Sequence, residues 1–90
     1  MKTAQAGTVE SMDCVVTVRE EASGKGLGVE LQGGSVARFR SVMEKTVLEK
    51  AQELGLKDAI IAVQDNGALD VVLRARVETA VKRFMGGDKA

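Results

Sequence analysis

Apolar positions recur along this chain with two different periods. In "CVVTVRE" (14–20) β-branched residues crowd a short run, the mark of a strand. After the loop "EASGKG" (21–26), Leu27, Val29 and Leu31 fall on one face of "LGVELQ" (27–32), with Glu30 and Gln32 on the other. The two strands predict an antiparallel hairpin with a loose tip. Gly33 and Gly34 interrupt the pattern, and Ser35 follows as a candidate helix cap. The period then changes: Val36, Phe39, Met43, Val47, Ala51 and Leu54 recur every three or four residues, which predicts a helix of about five turns. Gly55 suits the left-handed residue that ends many helices, and Leu56 is placed to fold back on the last turn.

"DAIIAVQ" (58–64) reads as a buried strand, and the stretch beyond it fits two descriptions. Leu69, Leu73, Val77, Ala80 and Phe84 have the spacing of one helix running from Ala68. Asn66-Gly67 is also a strong signal for a two-residue turn. Pairing about it sets Leu73, Val71 and Leu69 opposite Ile60, Ala62 and Gln64 on one nearly apolar face. That register favours a fourth strand at 68–73 and a last helix at 75–85. Residues 1–12 lack periodicity, and with the tail 86–90 they read as mobile. The expected architecture is α+β: one domain over 1–90, a small two-layer sandwich. Its mostly antiparallel four-stranded sheet is covered by two helices in the order ββαββα.

Composition narrows the chemistry. Ninety residues support a modest core, so a deep catalytic cleft is not expected. Thirteen Lys and Arg balance thirteen Asp and Glu, and Phe39 and Phe84 are the only aromatics. Neither a basic surface nor a base-stacking platform is present, which argues against nucleic acid. The absence of His removes any Ser-His or Cys-His nucleophile pair within the chain. A lone cysteine, Cys14, excludes an internal disulfide and a multi-cysteine zinc site. No activating cation neighbours it, so it reads as a small buried hydrophobe. "MKTAQAGTVES" lacks the apolar core of a signal peptide and no apolar run is long enough for a membrane span, so a cytoplasmic protein is expected.

Three features carry candidate chemistry. Ser11 stands in "GTVESMDC" (7–14) between Glu10 and Asp13. With no base in the chain its hydroxyl is a weak nucleophile, yet a partner enzyme can use it as an acceptor, with Glu10 and Asp13 as the charges that partner reads. The plain alternative is a loop serine making a local turn with Asp13. Arg74 and Arg76 in "LRARVE" are candidates for phosphate or partner contact, against a solvated face pairing with Glu78. "GKGLG" (24–28) lacks the spacing of a phosphate-binding loop.

"AGTVESMDC" ahead of the "VTV" strand and "VQDNGALDVVLRARVETAV" near the end together resemble the acyl carrier (gamma) subunit of citrate lyase, over nearly the whole chain and in order. The first motif supplies Gly7, Thr8, Glu10, Ser11 and Asp13; position 12, variable in the family, is Met12 here. The resemblance implies a non-catalytic carrier whose Ser11 bears phosphoribosyl-dephospho-coenzyme A through a phosphodiester. It also implies acetyl and citryl thioesters on the terminal thiol of that group. The implied partners are the alpha (acyl transferase) and beta (citryl lyase) subunits, a prosthetic-group transferase and an acetylating ligase. No catalytic residue and no metal are implied. The carrier of malonate decarboxylase shares this design and matches less closely around Glu10-Ser11. An unmodified interaction module is the reading from a different class.

Overall fold

The run Ala59-Ile60-Ile61-Ala62-Val63 is apolar on both faces, a pattern that belongs in the middle of a sheet. The computed structural model, which describes residues 2–86, places it there. In chain order the elements are β1 (Thr3–Gly7), β2 (Cys14–Glu20), β3 (Leu27–Gly33), α1 (Val36–Glu53), β4 (Ala59–Asp65) and α2 (Asp70–Phe84). The sheet runs β1-β2-β4-β3. β2 is antiparallel to both β1 and β4, and β3 is parallel to β4 through the crossover helix α1. The sheet is therefore mixed, with two of its three pairings antiparallel.

Both helices cover one face, α1 over β3 and α2 over β1 and β2. Val16, Val18, Ile61 and Val63 project from that face against Met43, Val47 and Ala51 of α1 and Leu73, Val77, Ala80 and Val81 of α2. Each fully buried Val or Ile contributes about 1.5–3 kcal/mol, so this contact is what holds the layers together. The other face carries Gln5, Thr17, Glu30, Gln32, Ala62 and Gln64 and is uncovered.

The α+β sandwich of four strands and two helices is as expected; the placement of strands differs in three respects. The fourth strand is Thr3–Gly7, inside the segment expected to be mobile, and not 68–73. Its small residues Ala4 and Ala6 lie opposite Val18 and Val16, filling the shallow space beneath α2. Residues 70–73 instead begin α2, so the single-helix spacing was the operative pattern. The hairpin fails because β2 already occupies that edge of β4, pairing Val16 with Val63 and Val18 with Ile61. Lastly, β2 and β3 are not a hairpin: β4 inserts between them, and their loop is drawn across by the Asp58 carboxylate, which accepts the Gly24 and Gly26 amides at 3.1 and 2.7 Å. Of the tail 86–90, residues 87–90 lie outside the described residues.

Helix α1 ends as its sequence dictates. Gly55 takes φ +85°, its amide donates to Gln52 and the Leu56 amide donates to Ala51, while the Leu56 side chain is buried. Its start is less regular. Phe39 breaks the helix with φ −125° and ψ 22°, and the ring expected on the buried stripe is half exposed. Ser35 makes no side-chain cap; its amide donates to Asp65 Oδ2 at 3.2 Å instead.

Candidate functional site

Residues 8–13 form the loop of the β1–β2 hairpin, and Ser11 sits at its exposed crown. The loop begins at Gly7, where φ is +106° and a Cβ would lie 1.8 Å from the Cys14 carbonyl oxygen; only glycine permits that closure. The Thr8 amide then donates to the Cys14 carbonyl (3.2 Å) and the Asp13 amide to the Glu10 carbonyl (3.2 Å), closing a four-residue turn over Ser11 and Met12. Met12 takes φ +66°, the one non-glycine residue with positive φ among those described. Such a conformation persists only where the surroundings over-determine it.

Those surroundings come from two places. Asp13 accepts four donors: Arg76 Nε (3.0 Å) and Nη2 (2.7 Å) from α2, Thr8 Oγ1 (2.7 Å), and the Cys14 amide (2.7 Å). The paired Arg76 guanidinium, with the Thr8 hydroxyl and the Cys14 amide behind it, holds this carboxyl far below the usual carboxylate range. The second brace is Asn66. Its carbonyl accepts the Met12 amide (2.7 Å), its amide donates to the Asp13 carbonyl (2.9 Å), and its side chain donates to the Val9 carbonyl. Asn66, expected in a hairpin turn, extends the β2–β4 ladder into the loop.

Asp65, beside it, was not singled out by the sequence reading, although it heads the second motif. Fully buried, it accepts amides from Ala68 (2.9 Å), Gly67 (3.1 Å) and Ser35 (3.2 Å), joining the end of β4 to the starts of both helices. Burial opposes its charge, but these amides outweigh burial and its pKa is lowered. The signal available was an Asp ahead of Asn-Gly, since an Asx side chain can capture amides two and three residues on. The loop motif (7–13) and the later motif (65–76) thus fold into one hydrogen-bonded unit.

Within that unit the expected site residues separate. The Ser11 hydroxyl makes no hydrogen bond among the described residues. Glu10 is exposed and has no ion pair among them, whereas Asp13 is mostly enclosed and engaged by Arg76. Because 74 and 76 lie on a helix, their side chains diverge. Arg74 pairs with Asp70 (2.8 Å) and approaches Glu49 (4.0 Å), while Glu78 pairs with Lys82 and Lys50, not with either arginine. Cys14 is fully buried and its thiol is pushed up to about 11, chiefly by burial, so it is no nucleophile. No group of acidic or cysteine residues able to hold a metal occurs among the described residues.

The loop stands at the same end of the molecule as a second feature. Between the first turns of α1 and α2 lies an apolar cleft of about 320 Å³, walled by Phe39, Val42, Leu69 and Leu73, with Ser35 and Asp70 at its rim.

The braced loop leaves the Ser11 hydroxyl exposed, and no side chain among the described residues hydrogen-bonds it. Comparison with known proteins gives the chain a family. Residues 1–84 match the family model described as the malonate decarboxylase delta subunit. The chain is 43% identical over 82 residues to the citrate lyase acyl carrier protein of Haemophilus influenzae, covering 91% of this chain and 83% of that one. It is 36% identical over 86 residues to the citrate lyase acyl carrier protein of Halothermothrix orenii, covering 96% and 89%. A chain in the crystal structure of a Pseudomonas malonate decarboxylase hetero-tetramer in complex with malonate superimposes with a TM-score of 0.66 at 25% identity, over 92% of this chain and 84% of that one. The chain belongs to this family of acyl carrier proteins, which are non-catalytic carrier subunits.

Proposed function

We propose that this chain is the acyl carrier subunit of a citrate lyase, bearing phosphoribosyl-dephospho-coenzyme A on Ser11. The observation that carries the reading is the contrast at the loop: Ser11 is exposed with a free hydroxyl, while Thr8, Asp13 and Asn66 beneath it are all engaged. The residues present fit such a group. An acceptor needs access and a fixed position, and the two braces give both without burying the hydroxyl. Attachment forms the Ser11 Oγ–phosphorus bond as the bond from that phosphorus to a phosphate leaving group on the activated donor breaks. The leaving group departs from the transferase site, and the proton passes to a base of the transferase, because the chain contains no histidine and its thiol is buried. Glu10 is the charge left free for that enzyme to read, and Asp13 acts by holding the loop's shape. When bound, the group supplies a terminal thiol for acyl groups. The chain's own part is to keep the tether point fixed, so that an acyl group meets successive active sites at high effective concentration.

On this reading the partners are the alpha and beta subunits of citrate lyase, the prosthetic-group transferase and the acetylating ligase, in the cytoplasm. No helix among the described residues is long and apolar enough to cross a membrane. Intact mass of the protein from its native cells tests the reading. A cofactor-sized increment confined to the peptide containing Ser11 is expected, and Ser11→Ala should lose both the increment and the ability to restore lyase activity to the other subunits. Full activity from the alanine variant would overturn the assignment.

A second reading, the carrier of a malonate decarboxylase, is supported by the description of the matching family and by the likeness to a chain of the malonate decarboxylase hetero-tetramer. The higher identity to citrate lyase carriers supports the first reading over this one. The subunits that co-purify with the chain decide between the two.

A further inference from the structure

The cleft between the starts of α1 and α2 has no part in the bracing of Ser11, yet it adjoins that loop. Gly67 lines its rim, and a methyl group built on Gly67 would lie 3.9 Å from the Met12 backbone, one residue from Ser11. Phe39, Val42 and Leu69 remain 47%, 58% and 58% exposed around it, although a chain this size has few large apolar side chains to leave in water. The Arg38 guanidinium lies 5.3 Å from the Phe39 ring centroid and has no carboxylate partner among the described residues. Lys50, Arg74 and Arg76, further along the same two helices, are all ion-paired. An aromatic face, aliphatic walls and an unpaired planar cation stacked on that aromatic ring, though not itself lining the cleft, together suit a flat heteroaromatic ring that carries phosphate. The volume lies at the small end of the ~300–1,000 Å³ range of ligand pockets, enough for one nucleoside and not for a whole coenzyme.

We infer that this cleft seats the adenine nucleoside part of the group carried on Ser11, with Phe39 and Leu69 against the ring and Arg38 facing phosphate. The inference rests on the reading of Ser11 as the attachment point. A tether so close to the cleft makes weak binding sufficient: short flexible links give effective concentrations of order millimolar, so a site with a Kd near 1 mM is about half filled. Seating the nucleoside end shortens the free arm and leaves its thiol end outside for partner active sites.

Methyl NMR of the intact carrier, modified and unmodified, tests this. Phe39 and Phe84 are the only aromatic residues of the chain, so a bound purine adds ring-current shifts on a quiet background. Modification should shift the Val42, Leu69 and Leu73 methyls upfield and leave Val15 and Ile60, on the uncovered sheet face, unmoved. Val42→Glu and Leu69→Lys, both at exposed positions, should abolish those shifts while the mass increment on Ser11 persists and the remaining spectrum stays native. Unmodified protein titrated with AMP should move the same methyls at millimolar concentration. An increment on Ser11 with methyls coincident with those of Ser11→Ala would overturn the cleft assignment alone. Shifts that appear only when partner subunits are added would assign the cleft to a partner and overturn it equally. Absence of any increment would bring down the attachment reading, and the cleft with it.

Discussion

Two six-residue loops leave opposite ends of β2, and they are built differently. Loop 21–26 is gathered by one carboxylate, Asp58, which accepts two glycine amides, and its Ser23 and Gly24 are exposed. Loop 8–13 is gripped by a side chain 63 residues away, by three contacts from Asn66 and by its own Thr8. The first needs only to span the β4 edge, and anchoring a few backbone groups suffices. The second holds one residue outward in a defined position, which requires fixing the backbone on both sides of it. The comparison teaches that exposure at Ser11 is constructed and is not a by-product of looseness.

The contrast can be broken at the glycines. Gly7→Ala should have the largest effect, about 3–4 kcal/mol, because the Cβ meets the Cys14 carbonyl at a φ that L residues rarely adopt. Denaturant unfolding should show the loss as a lower midpoint at unchanged slope. Arg76→Ala comes next. It leaves Asp13 without its bidentate partner, so amide exchange across 8–13 should accelerate and attachment at Ser11 should slow, with 21–26 unaffected. Exchange that rises equally in both loops would mean that Arg76 supports the fold at large and not this loop.

Acid provides a gentler cut. The Asp13 carboxyl ionises near 3.8 in the unfolded chain and lower in the folded one, so its interactions stabilise the protein above that value. As the pH falls below about 4 the unfolded chain takes up the proton first, and the contribution drains away towards the folded-state pKa. Asp13→Asn should therefore flatten the acid limb of stability against pH relative to the parent. Asp65 and Asp70, also depressed, remain in both proteins and cancel in the difference. Smallest of all should be Gly24→Ala, about 1 kcal/mol: its φ is +87°, but nothing lies within 4 Å of the new methyl.

Much of the fold was legible where its causes are local. The α1 stripe and its Gly55-Leu56 ending follow from spacing and from one residue's conformational freedom, and both hold. The spacing of Leu73, Val77, Ala80 and Phe84 was equally legible, and these side chains are buried. The Asn66-Gly67 turn signal competed with it and lost, because β2 took the edge of β4 that a hairpin needs. β1 left no trace in the pattern: as an edge strand over small side chains, "TAQAG" needs no large apolar residue. At the site, Ser11 could be singled out from its motif and from the absence of a base. The Asp13–Arg76 pair could not, since nothing in either residue's neighbourhood reports a partner 63 positions away.

The chain on its own determined α1 with its Gly55 ending, its fold class and the absence of a histidine base for its serine, because periodicity, C-terminal capping and composition are properties of neighbouring residues or of the chain's inventory. Tertiary structure alone decided which strands adjoin, that Arg76 reaches the Asp13 carboxylate, and that Phe39 lines a cleft. Each of these depends on which elements reach a shared edge or face, and a one-dimensional pattern does not encode that competition.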